Sequence, residues 1–172
     1  MNTVREEGRI YTPEIDMDAM VREFGDNLLR MCIVYLRDVA LAEDAVQETF
    51  MRVYKAYPKF RHECSLRTWI TGIAINVCRS MLRSAWRRRV SVTDTIEQLG
   101  RAYEMPDHTL TEAVMNLPAK QREAVVMHYI EGMKIREIAD VLKIPLQTVS
   151  SRLNRARESL RAELKEWYDE KR

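Results

Sequence analysis

Lys134-Ile135-Arg136-Glu137-Ile138-Ala139-Asp140-Val141-Leu142, then Lys143-Ile144-Pro145, then Leu146-Gln147-Thr148-Val149-Ser150-Ser151-Arg152-Leu153-Asn154-Arg155-Ala156-Arg157, is the stretch on which the fold turns. Two helical patterns flank a three-residue turn. Pro145 suits the entry of the second helix, where its missing N–H costs little. In that helix Leu146, Val149, Leu153, Ala156 and Leu160 recur at spacings of three and four, as a packed stripe does. Gln147, Ser150, Ser151, Asn154 and Arg155 point the other way, with Thr148 and Arg152 beside them. These side chains can bond base edges or phosphates, and a short turn between two helices is how a recognition helix is offered to the major groove. An ordinary helical hairpin with a polar outer face is the plainer alternative.

Working outward, helices are expected near Thr109–Met115 and Lys120–Ile130, with Gly132 stopping the second. Upstream lies a polar stretch, Val90 to His108, with no sustained apolar period, which reads as a flexible linker. Before it, three helical patterns occupy Asp26–Leu36, Leu41–Tyr54 and Leu66–Arg87, and Ser65 stands where it can cap the third. The expected fold is all-α: two small helical domains on a linker, the C-terminal one holding the helix-turn-helix. The divisions are an N-terminal extension over 1–17, a helical domain over 18–89, a linker over 90–108 and a second helical domain over 109–172.

The chain has 172 residues, only five glycines and five prolines, and a net charge of +2. The total charge therefore says little about partners, and its distribution says more. Asn76, Arg79, Arg83 and Arg87 form a ridge on the third helix, and no acidic residue lies between Asn76 and Val92. A ridge without acids favours phosphate tracking over a mixed-sign solvated face. Just before that helix, Tyr57 to Ser65 is an aromatic and polar loop, able to stack an unpaired base. Spacing alone puts Phe60 and Trp69 in the core. Glu43, Asp44, Gln47, Glu48 and Met51 share the outer face of the second helix, a surface that repels DNA and attracts a basic protein. Plain solubility explains that face equally well.

Some chemistries are not expected. No phosphate-cradling glycine loop, HExxH motif or carboxylate cluster suited to metal catalysis is present, so the protein reads as no enzyme and as needing no cofactor. Cys32, Cys64 and Cys78 are odd in number and unpaired in spacing, which fits reduced thiols. His62 and Cys64 lack the further ligands that a zinc site needs. Met1 to Glu14 has no apolar run and no segment is long enough to span a membrane, so a cytoplasmic protein without membrane insertion is expected.

Taken in order, these surfaces resemble the small extracytoplasmic-function (ECF) sigma factors of the sigma-70 family. Ala42-Glu43-Asp44-Ala45-Val46-Gln47-Glu48-Thr49-Phe50 resembles their polymerase-binding helix. Leu66-Arg67-Thr68-Trp69-Ile70 with Ile73-Ala74-Ile75-Asn76 resembles their −10 recognition helix. Leu117-Pro118-Ala119-Lys120-Gln121-Arg122-Glu123 through Arg155-Ala156-Arg157-Glu158 resembles their −35 reader. The resemblance implies that Glu43, Asp44, Gln47, Glu48 and Met51 face the clamp of the largest subunit of core RNA polymerase. The flap of the second-largest subunit is implied as a further contact. Phe60, Arg61, His62, Cys64 and Ser65, with Asn76, Arg79 and Arg83, would hold single-stranded −10 DNA. Gln147, Thr148, Ser150, Ser151, Arg152, Asn154 and Arg155 would grip the −35 duplex. An anti-sigma factor, able to hold the protein at the inner face of the membrane until stress, is implied as a further partner. Gln147, Ser150 and Ser80 depart from the residues common at their places, so the promoter sequence cannot be borrowed from a relative. A self-standing operator-binding regulator leaves the acidic helix unexplained. A sigma mimic that binds no DNA leaves Arg79, Arg83, Arg152 and Arg155 unexplained.

Overall fold

The computed structural model describes residues 16–85 and 108–170, together with the backbone of a two-residue antiparallel strand pair, Arg5–Glu6 with Arg9–Ile10. All else described is helix or short turn. Residues 90–107 of the expected linker, and Arg87 to Arg89, lie outside the described residues, while His108, the last residue of that stretch, opens a helix. Seven α-helices follow one another in the described part: α1 Met17–Leu36, α2 Val39–Ala56, α3 Leu66–Ala85, α4 His108–Asn116, α5 Ala119–Val125, α6 Ile135–Leu142 and α7 Leu146–Glu170. The all-α fold in two helical regions is as the sequence predicts.

Local chemistry sets the boundaries in the first half. Asp16 Oδ1 accepts the N–H of Ala19 at 2.8 Å and starts α1 nine residues before the predicted start. Arg37 ends α1 in the left-handed region, φ 60°, and its N–H bonds the Ile33 carbonyl. Asp38 then caps α2 through the N–H of Leu41 at 2.9 Å. Two residues therefore reverse the chain, and α1 and α2 pack as an antiparallel pair with α3 across them. Ser65 caps α3, its Oγ accepting the Thr68 N–H at 3.0 Å, as predicted.

In the second half, the predicted single helix over 120–130 is an α-helix as far as Val125 and a π-turn over Val126–Ile130. The wider turn leaves Tyr129 and Ile130 exposed. Gly132, at φ +69°, makes the left-handed stop for which a side chain would be strained. Lys143 ends α6 at φ 55°, and Pro145 leads into α7. Val149, Leu153 and Ala156 are buried as predicted. Leu146 is a correction: it is 51% exposed, not part of the packed stripe. It is the first residue of α7, at the end of the stripe, where about half of its surface stays open to solvent.

The two regions meet. Buried side chains of α1 and α3, among them Met31, Tyr35, Ile70 and Ile75, belong to one continuous cluster with Met115, Val126, Met127 and Ile138 of the second half. Glu131 is buried in this seam. One of its oxygens accepts the Thr71 hydroxyl at 3.2 Å, while Oε1 has no protein partner. Burial pushes its carboxyl above the ordinary value, against smaller lowering effects of Thr71 and Arg67. The unfolded chain keeps an ordinary carboxyl, so between the two pKa values the folded state binds more protons. Glu131 thus favours folding in acid, and that contribution is lost as pH rises through its native pKa. Glu131→Gln is expected to raise stability at pH 8 and to flatten the decline that wild type shows as pH rises above the ordinary carboxyl value. Thermal melts across that rise in pH check it. A melting point lower than wild type at pH 8 would show the charge to be compensated.

Candidate nucleic-acid interface

The outer face of α2 is open. Glu43, Asp44 and Gln47 are exposed, and Met51 is 53% exposed. Glu48 is half-exposed and accepts from Arg52 Nε at 2.7 Å, an i,i+4 pair of small worth. Of these, Gln47 and Met51 line an apolar groove of about 610 Å³ between α1 and α2, together with Val21, Leu29, Val46, Phe50 and Tyr54. Val21 and Tyr54 are large and exposed, and sequence reasoning did not single them out. Apolar surface on a helix that also carries exposed carboxylates is what a docking face looks like, with anchors in the groove and steering charge beside it.

The loop before α3 is built on stacked rings. Phe60 lies on Trp69 with centroids 4.6 Å apart and planes 28° apart, His62 packs on Phe60 at 4.4 Å, and Tyr57 meets Trp69 edge-on. Phe60 and Trp69 are each half-buried, between the core place predicted for them and a free stacking platform. Arg61, His62, Glu63, Cys64 and Ser65 are exposed, and His62 is held in the left-handed region at φ 56°. Ser65 Oγ also donates to Thr68 Oγ1 at 2.8 Å, so this hydroxyl serves the helix cap. The Cys64 thiol lies above its ordinary value, by partial desolvation and then by the carboxylates of Glu137 and Glu63. That is the reverse of an activated thiolate. No cluster of potential metal ligands occurs among the described residues.

The structure divides the basic ridge of α3. Asn76, Ser80 and Arg83 are exposed along it. Arg79 turns to the second half of the molecule, where Nε and Nη2 bond the two oxygens of Glu123 at 2.6 and 3.0 Å. The bond to Glu123 raises the Arg79 pKa above its ordinary value against the opposing cost of burial.

On α7, Gln147, Ser151, Asn154 and Arg155 are exposed on the face opposite Val149, Leu153 and Ala156. Thr148 and Ser150 are half-buried. Asn154 Oδ1 accepts from Arg157, and Ser151 donates to the Thr148 carbonyl at 3.0 Å. Arg152 is drawn back towards the core, with Nη1 3.3 Å from Glu123 Oε2. The helix-turn-helix thus presents four of its predicted DNA-binding side chains exposed on its second helix, while two predicted DNA-binding arginines, Arg79 and Arg152, share one carboxylate. Glu123 was not singled out from the sequence. Its partners are distant in the chain, so no local pattern marks it.

A second apolar cavity, about 790 Å³, lies where α1, α4, the π-turn and α7 meet. Val34, Val114, Val125 and Leu160 line it, with Arg157 and Arg161 at its rim. No helix among the described residues is long and apolar enough to cross a membrane.

Comparison with known proteins agrees with this geometry. Residues 20–88 match the family described as Sigma-70 region 2, and residues 107–160 match Sigma-70, region 4. The ECF RNA polymerase sigma factor SigC of Mycobacterium tuberculosis (strain CDC 1551 / Oshkosh) is 31% identical over 153 residues, covering 86% of this chain and 82% of that protein. The RNA polymerase sigma-H factor of Pseudomonas aeruginosa is 28% identical over 160 residues, covering 83% of each. The structure of CnrH in complex with the cytosolic domain of CnrY matches with a TM-score of 0.66 at 26% identity over 87% of each chain. The sigma factor RpoE of Bartonella quintana, solved with the anti-sigma factor NepR, shares the fold at a TM-score of 0.67 and 23% identity, over 86% of this chain and 98% of that one. Two sigma regions in order, covering most of the chain on a helical fold shared with solved sigma factors, make this chain a member of the extracytoplasmic-function group of the sigma-70 family of RNA polymerase sigma factors.

Proposed function

We propose a division of labour among these surfaces for a chain whose family role is to direct core RNA polymerase to specific promoters. Residues 18–89 bind polymerase and the −10 element, residues 109–172 bind the −35 element, and residues 90–108 link them. Glu43, Asp44, Gln47, Glu48 and Met51, with the groove beside them, take the clamp of the largest polymerase subunit. Phe60 to Ser65, Asn76 and Arg83 take the single-stranded −10 segment. Melting costs about 1.4 kcal/mol per base-pair step, more than this small surface can return unaided, so polymerase contacts share the work. The protein contributes binding and no catalysis of its own. It acts in the cytoplasm, where polymerase and promoters are.

The observation that carries this reading is the outward face of α7: Gln147, Ser151, Asn154 and Arg155 stand exposed over a buried Val149–Leu153–Ala156 stripe. Arg155→Ala is expected to weaken binding to a cognate −35 duplex by about tenfold or more, the worth of one good base or phosphate contact. Fluorescence anisotropy with the polymerase holoenzyme checks it. Unchanged affinity would remove Arg155 from the interface.

An inhibitory protein is proposed as a further partner. The solved relative RpoE was captured with the anti-sigma factor NepR, and CnrH with the cytosolic domain of CnrY. The cavity bounded by α1, α4 and α7 has the apolar lining and basic rim to receive an amphipathic helix with acidic flanks. Membrane tethering of that inhibitor is how the protein is held at the inner face of the membrane.

A further inference from the structure

Glu123 joins the two halves. It sits on α5, and its side chain is 5% exposed. Oε1 accepts the Tyr35 hydroxyl of α1 at 2.7 Å and Arg79 Nε of α3 at 2.6 Å, while Oε2 accepts Arg79 Nη2 at 3.0 Å and Arg152 Nη1 of α7 at 3.3 Å. One carboxylate thus faces two guanidinium groups, one from each region. The same side of α3 continues the seam. Thr68 donates to Glu137 of α6 at 3.0 Å, and Thr71 donates to Glu131. At Gly72 the backbone comes so near α6 that a Cβ would lie 3.4 Å from Val141. Three carboxylates of the second region therefore accept from one face of the helix that carries the basic ridge.

We propose that Glu123 is a latch that keeps the free protein closed, and that DNA phosphates replace its carboxylate on Arg79 and Arg152 when the halves part. The proposal rests on the reading of those two arginines as DNA contacts. The chemistry of the exchange is symmetrical: a carboxylate and a phosphate offer a guanidinium the same pair of anionic acceptors. In the closed state Arg79 and Arg152 are only 30% and 17% exposed, and the guanidinium edges that hold Glu123 are not open to a phosphate. Without the carboxylate, two like charges face each other across the seam and favour its opening. Closure therefore withholds one cation from each DNA-binding region at once, and free protein binds promoter DNA less well than its separated surfaces allow.

The test compares wild type with Glu123→Gln, which keeps the shape and removes the charge. Spin labels at Lys55→Cys and Ser159→Cys, both exposed sites, report the distance between α2 and α7 in a Cys64→Ser background. Cys32 and Cys78 are fully buried and stay unlabelled. Wild type should give one narrow distance distribution, and Glu123→Gln a broader and longer one. In unlabelled protein without polymerase, Glu123→Gln should bind promoter duplex about five to ten times more tightly, as expected when a closed population is released. A narrow, unshifted distribution in a folded Glu123→Gln protein overturns the latch. A shifted distribution with unchanged DNA affinity overturns the exchange on Arg79 and Arg152. Should Glu123→Gln lose its helical circular dichroism, Glu123→Asp, one methylene shorter, must show the same two changes in smaller measure, and the lack of either overturns the proposal. Holoenzyme transcription judges the sigma reading separately, since it does not depend on how the free protein is folded together.

Discussion

Reversing Glu43 and Asp44 together to lysine is expected to lower affinity for core RNA polymerase about 100-fold, roughly 2.8 kcal/mol at 1.4 kcal/mol per decade, and to leave the fold intact. Both side chains are exposed on α2. The helix is held from its other side by Ala42, Ala45, Phe50 and Val53, which the change does not touch. The loss comes from two favourable pairs becoming repulsive across a partly desolvated interface, where a close charge pair is worth more than on a free surface. Glu48 already shares its charge with Arg52, so its reversal should cost less. Competition binding against a labelled sigma factor at two salt concentrations separates the parts. The deficit should shrink as salt screens the charges, whereas the contribution of the apolar groove lined by Met51 and Tyr54 should not. Full retention of affinity would move the polymerase contact elsewhere.

Arg122→Ala should destabilise the second region by about 2–4 kcal/mol, the largest effect on stability expected of any single polar change in the protein. Arg122 is buried, and its Nη1 donates to the carbonyls of Met115 and, at 3.1 Å, Leu117. These carbonyls belong to the end of α4 and the turn after it, where no helical donor is left to satisfy them. Burial pulls the guanidinium down to about 10, with a smaller push from Arg37, so the site is costly for a charge and is retained for its two bonds. Alanine recovers the desolvation of the charge but leaves two carbonyls unpaired beside a cavity. A lysine reaches one carbonyl at best and should recover less than half the loss. Urea unfolding followed by circular dichroism measures both variants. Wild-type stability in Arg122→Ala would mean that water serves those carbonyls equally well.

Much of this molecule is readable from local pattern. Spacings of three and four in Leu66, Ile70, Ile73, Ala74 and Val77 mark α3, and Ser65, Gly132 and Pro145 mark helix ends by chemistry that acts within a turn. The start of α1 is harder to see, because only Met20 and Phe24 are buried in its first two turns, among exposed polar neighbours. The π-turn at Val126–Ile130 leaves no mark in composition. In the candidate site, the exposed face of α7 and the acid residues of α2 follow from periodicity, since the far side of a buried stripe must face solvent or a partner. Leu146 breaks that logic at the end of the stripe, where about half of its surface stays open to solvent. Glu123 is invisible to it, because Tyr35 and Arg79 reach it from 88 and 44 residues away. A spacing rule assigns Arg79 to a phosphate ridge, and only the packing of the halves shows the carboxylate it holds.

The most direct test of the central claim is run-off transcription by purified core RNA polymerase from the promoter upstream of the gene for this protein, with and without the protein. Specific transcripts that need both components, and that fall when Glu43 and Asp44 are reversed, are the expected result. No transcripts and no binding to a core polymerase that is active with a control sigma factor would contradict it, and the proposed roles of the acidic groove, the aromatic loop and the recognition helix would fall with it.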